Sequence, residues 1–119
     1  MALTRVLLSG MVAGGVLACL DVAEAAVIKG TCLLEVGGTR YIDGPCEIDL
    51  EADGSFVATA YRGGAVSYFA YVLLDGKNSA TGYWNEEPGA GHAHTPLGTL
   101  TRQGGCWQNR DAKVCAWRE

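Results

Sequence analysis

The chain has 119 residues, of which 17 are glycine and five are cysteine, and a formal net charge of −4. That length holds one domain with one modest core, and no internal repeat, long polar tail or linker divides it. The acidic balance argues against nucleic acid as the natural partner and suits a basic protein instead.

Residues 1–25 carry a single basic residue, Arg5, then an apolar run from Val6 to Leu20, then the small-residue pattern Ala23-Glu24-Ala25. This is the layout of a secretory signal peptide; the run is short for a transmembrane helix, and no later stretch reaches spanning length. Cleavage after Ala25 leaves residues 26–119 as a single β domain of 94 residues (119 less 25). A second reading stays open: Val16-Leu17-Ala18-Cys19 has the form of a bacterial lipoprotein box, which would make Cys19 a lipid-anchored N-terminus. The expected location is the periplasm, with an outer-membrane lipoprotein or a secreted protein as alternatives. Nine basic side chains less Arg5 leave eight, and thirteen acidic ones less Asp21 and Glu24 leave eleven, so the balance beyond Ala25 is −3.

Either fate of Cys19 leaves Cys32, Cys46, Cys106 and Cys115. An even set in a small exported protein predicts two disulfides. The pairing 32–46 and 106–115 is favoured because each bridge closes a local loop. The closely spaced cysteine pairs of a structural zinc site are missing, so no metal and no cofactor is expected.

Residues 26–28 read as a first strand or a lead, followed by a strand over 31–35 and a Gly37-Gly38 turn. A strand over 39–43 is expected to stop at Asp43-Gly44-Pro45, because proline cannot donate to a ladder. Strands over 46–50 and 55–60 flank Asp53-Gly54, a two-residue hairpin signal. That register sets Phe56 opposite Glu51, so a bulge or longer loop is the alternative. After Gly63-Gly64 comes AVSYFAYVLL at 65–74, apolar on both alternating sets: a central strand, or a barrel wall with aromatics outside. Strands over 80–85 and 97–102 enclose the polar loop 86–91, EEPGAG, read as the most flexible connection.

The closing segment, residues 104–117, reads as a hairpin folded about Arg110–Asp111. Counting outward from Asn109 opposite Ala112 places Cys106 opposite Cys115 on the non-hydrogen-bonded set, whose close Cα spacing suits a disulfide. Trp107, Ala112, Val114 and Ala116 then share the core face. Together these elements predict an all-β fold, a small antiparallel barrel or strongly curved sheet of about eight short strands, with a β-sandwich as alternative.

No enzyme is expected. There is no Gly-x-Ser-x-Gly elbow, no phosphate-binding glycine fingerprint, and no free thiol once four cysteines pair. His92-Ala93-His94 sets two imidazoles on one face of an expected strand, read as exposed strand histidines. Asp43, Glu47, Asp49 and Glu51 alternate as a solvated strand face. Most of the tyrosines and tryptophans are expected to pack in the core or the hairpin, with an exposed row for glycan or protein binding as the alternative role.

Tyr83-Trp84 at a strand end, a glycine-bearing loop, and the 97–100 strand resemble the periplasmic or membrane-bound inhibitors of c-type lysozyme of Gram-negative bacteria. The likeness covers residues 79–100, and the rest of the chain at the level of architecture. Asn85 stands where that family has a lysine, and Ser79 is the one serine nearby. The resemblance implies a small barrel that occludes the cleft of a basic lysozyme with a loop. The loop residues it points to are Glu86, Glu87, His92, Arg110 and Asp111, with the basic Arg110 set against a catalytic carboxylate. The alternative is a non-catalytic glycan- or protein-binding envelope module. A homodimer is a further expectation, because a short curved sheet leaves apolar surface.

Overall fold

The computed structural model describes residues 25–119. The expected signal peptide, apart from Ala25, and the lipidation of Cys19 fall outside the described residues. Eight antiparallel strands run in order: β1 (Ala26–Val36), β2 (Thr39–Leu50), β3 (Phe56–Arg62), β4 (Ala65–Leu74), β5 (Ser79–Trp84), β6 (Thr95–Gln103), β7 (Cys106–Gln108) and β8 (Ala112–Arg118). Each pairs with the next, and β1 pairs back onto β8 from Gly30 opposite Arg118 to Val36 opposite Ala112. Pairing of the first and last strands decides for the closed barrel over the sandwich.

Two expected breaks are absent. Residues 26–28 and 31–35 form one strand, because β1 is laddered on both sides from Gly30 onward. The turn expected at Asp43-Gly44-Pro45 is not a turn: β2 runs straight through, with Gly44 opposite Cys32 and Pro45 opposite Thr31. β2 meets β3 only from Glu47 to Leu50, so Pro45 lies where β2 has a free edge, and a free edge tolerates a missing N–H.

The Asp53-Gly54 hairpin is likewise corrected, in favour of the longer loop. Residues 51–55 form it: Glu51 N–H donates to the Ser55 carbonyl (2.8 Å), and the Asp53 carboxylate accepts the Ser55 N–H (2.8 Å). The buried Ser55 hydroxyl oxygen in turn accepts the Leu74 N–H (2.8 Å). Leu50 therefore faces Phe56, and both turn toward the interior.

Alternation fills the barrel. Leu34, Val72, Leu100 and Val114 are fully enclosed, and Ile42, Ile48, Phe56, Trp84 and Trp107 pack around them. Three register shifts break the period of two, one of them between β3 and β4 past Thr59, and the other two add side chains to the interior. Between Leu34 and Glu35 the register slips, so Tyr41 is the extra residue on β2. It joins Tyr68 and Trp84 in an aromatic cluster, with centroids 4.7–6.0 Å apart. On β6 the slip past Gly82 leaves Leu97 extra, and Leu97 and Leu100 are both buried although their numbers differ by an odd count.

The two disulfides use different geometries. Cys32 and Cys46 face the interior, two positions off register on β1 and β2 with Cα atoms 5.8 Å apart. Cys106 and Cys115 stand directly opposite each other on β7 and β8, Cα atoms 4.0 Å apart, as the hairpin register requires. Trp107, Ala112, Val114 and Ala116 share the inner face.

Gly30 marks the tightest approach of β1 to β8. A Cβ there would run into the Trp117 carbonyl oxygen and would lie 2.8 Å from Ile48 Cδ1. Gly30→Ala should therefore lower the unfolding free energy by about 1–3 kcal/mol, measured by urea denaturation, because a ladder backbone cannot step aside as a side chain can. An unchanged midpoint would contradict this packing.

Candidate functional site

The barrel has two unlike ends. One gathers the Gly37-Gly38 and Gly63-Gly64 turns, the 85–94 loop and the 109–111 turn; the other gathers the 51–55, 75–78 and 104–105 turns. Every partner-binding residue expected from sequence, Glu86, Glu87, His92, Arg110 and Asp111, falls on the first end. Topology thus brings two loops, far apart in the chain, to one rim.

The 85–94 loop is exposed, yet it is tied down, which corrects its reading as the most flexible connection. Asn85 is the anchor, 5 % exposed. Its Oδ1 accepts the Phe69 N–H (3.0 Å), and its Nδ2 lies within donating distance of the carbonyls of Ser67 (2.9 Å), Glu87 (3.1 Å) and Ala90 (3.2 Å). The backbone adds Gly89 N–H to the Ser67 carbonyl, 2.8 Å. The loop is thereby pinned to the start of β4. Glu86 has φ 63°, the one non-glycine residue with positive φ among the described residues, and its Oε1 accepts from the Thr95 hydroxyl (2.8 Å). A left-handed glutamate costs free energy that the surrounding bonds offset, and such strain is concentrated at binding and active sites.

His92 and His94 are not on a strand: β6 begins at Thr95, and the bonds from Asn85 hold the preceding residues in a loop. Their rings stack with centroids 5.1 Å apart, and no group of three metal-ligating side chains forms among the described residues.

The 109–111 turn is built by Asn109. Its N–H donates to the Ala112 carbonyl (2.9 Å), and its Oδ1 accepts the N–H groups of Asp111 (2.9 Å) and Ala112 (2.8 Å). Its Nδ2 reaches across to the carbonyls of Leu97 (2.8 Å) and Thr99 (3.1 Å), so the turn is fastened to β6. The Asp111 carbonyl accepts from Gly37, 2.8 Å, joining it to the β1–β2 turn. Arg110 projects freely, its side chain 91 % exposed, and its 3.4 Å contact with Asp111 is a solvent-screened pair of little strength. No family model, curated protein or solved structure matches this chain.

Trp84 and Trp107 pack in the core, as expected of most of the aromatics: Trp84 is 4 % and Trp107 5 % exposed. The exposed aromatics are instead Tyr61, Tyr71 and Trp117 on the outer wall. Tyr61 donates to Glu47 Oε1 (3.0 Å), and that bond to a carboxylate raises its phenol above the ordinary value. All four described cysteines with a predicted partner are bridged, so none offers a thiol.

Asn85 and Asn109 are the residues that sequence reasoning passed over as framework. Both follow a strand and precede a glycine- or charge-rich turn, the position where an asparagine side chain can replace backbone bonds.

Proposed function

We propose that this protein is an exported, non-catalytic binding barrel that inhibits a c-type lysozyme through the end carrying Glu86, Glu87, His92, Arg110 and Asp111. The reading rests on the 85–94 loop: an exposed acidic loop, locked by a buried amide and sharing a rim with an unencumbered arginine. A loop ordered before binding loses little conformational entropy on docking. Glu86, Glu87 and Asp111 suit the surface of a basic enzyme and speed encounter, while the Arg110 guanidinium is chemically matched to a carboxylate in its cleft. The same reading places the protein in the periplasm, lipid-anchored at the outer membrane, or secreted.

Inhibition of a c-type lysozyme on cell-wall substrate by the oxidised protein tests it. Nanomolar inhibition is expected, with Arg110→Ala weakening it about tenfold or more, as for a central arginine in an interface. Absence of binding at micromolar protein removes the proposal.

A second reading rests on the outer wall of β3 and β4. There Tyr61, Val66 and Tyr71 are exposed around a shallow depression of about 320 Å³ floored by Phe69. An exposed aromatic patch of this kind serves protein contact, including self-association. Sedimentation of the wild type and of Tyr71→Lys separates a homodimer from a monomer.

A further inference from the structure

The end of the barrel opposite the proposed docking rim is open. Its turns carry Gly54, Gly76, Gly104 and Gly105, none of which has a side chain to cover the mouth. Below them lies a cavity of about 780 Å³, within the range of small-molecule sites. Phe56 and Trp107 form its floor, and Ile28, Leu50, Leu74 and Ala116 line its walls while packing against the core.

Three cations ring the funnel: Lys77 within the 75–78 turn, Arg102 near the end of β6 and Arg118 at the end of β8. All three are exposed, and among the described residues none has a carboxylate at ion-pair distance. Arg102 spends one donor, Nε, on the Gly104 carbonyl at 3.2 Å. Two acids also reach the rim, Asp53 and Asp75. Asp53 is already engaged by the Ser55 N–H, which holds its carboxyl below the ordinary value. Three cations against two carboxylates leave the mouth one positive charge in excess on a chain whose balance is acidic.

We propose that this mouth binds a single-chain amphipathic anion, an alkyl carboxylate, with its tail in the funnel and its head group on Lys77, Arg102 and Arg118. Apolar walls supply most of the affinity through area removed from water, and the cations fix polarity and orientation. The site is independent of the lysozyme reading, since it lies at the other end of the barrel and uses none of the same residues.

Calorimetric titration of the oxidised protein with dodecanoate, below its micelle concentration, tests the site. One-to-one binding is expected. Lys77→Gln/Arg102→Gln/Arg118→Gln should weaken dodecanoate about tenfold or more while leaving dodecanol binding unchanged. Ala116→Phe should fill the funnel and reduce binding of both. If that core variant fails to fold, the surface triple variant still decides. Failure of dodecanoate to bind, equal binding of dodecyltrimethylammonium, or an unaffected triple variant would each overturn the proposal.

Discussion

Asn85→Ala should lower the unfolding free energy by about 2–4 kcal/mol and release the loop that follows it. The carboxamide is buried, with one acceptor and two donors committed to four backbone groups on β4 and on the loop. Truncation leaves the Phe69 N–H and the facing carbonyls without that partner, and a buried group left unpaired costs about 1–3 kcal/mol. Several are shared or reach water once the loop lifts, so the sum is less than additive. Asn85→Asp should be as harmful, because the isosteric carboxylate keeps the acceptor but replaces the donors with a second, anionic oxygen set against the carbonyl oxygens of Ser67, Glu87 and Ala90. Urea denaturation measures the loss, and hydrogen exchange at Gly89 and Ala90 reports the release. Stability within about 0.5 kcal/mol of wild type, with both amides still protected, would show that the amide is not the anchor.

The largest effect is expected from Cys106→Ser/Cys115→Ser, a loss of about 2–5 kcal/mol. Closing a loop of sequence separation 9 accounts for roughly half of the upper figure through unfolded-state entropy. The remainder follows from β7, which has only the residues Cys106–Gln108 to bind β6 on one side and β8 on the other. It is the weakest stave of the barrel, and the bridge is what holds it to β8. Without the bridge the barrel should open there first. Amides of β6 and β7 would then exchange sooner than those of β1 and β2, and the near-ultraviolet signal of Trp107 would fall before global unfolding. A double mutant with unchanged unfolding free energy would refute the clasp.

Much of the fold is legible in the chain. Glycine pairs at 37–38, 63–64 and 104–105 mark turns because each supplies a positive φ, and the closing hairpin register follows by counting from its turn. The misreadings have a common cause. Proline at 45 signals a break unless the strand is known to have a free edge, and Asp53-Gly54 signals a two-residue turn unless Ser55 is known to be held by Leu74. Both facts belong to neighbours distant in sequence. The candidate rim was legible as composition, since 86–91 and 109–111 are polar, but its unity was not. Only strand order brings the two segments to one end. The open mouth was illegible for the same reason: its walls come from strands spread across the whole chain.

The free edge of β2 has a further bearing. From Thr39 to Cys46 the strand has no ladder partner on its β3 side, although the sheet is closed. The slit is spanned by side chains: Tyr41 against Tyr68 and Trp84 within, Tyr61 to Glu47 without. An unpaired edge in a β protein invites strand addition and fibril growth. Here Pro45 lacks the N–H a visiting strand would need, and exposed Arg40 and Asp43, paired to each other at 3.1 Å, crowd its approach with charge. Pro45 therefore leaves a strand that docks on this edge one hydrogen-bond donor short, at the seam where the barrel is least well laddered.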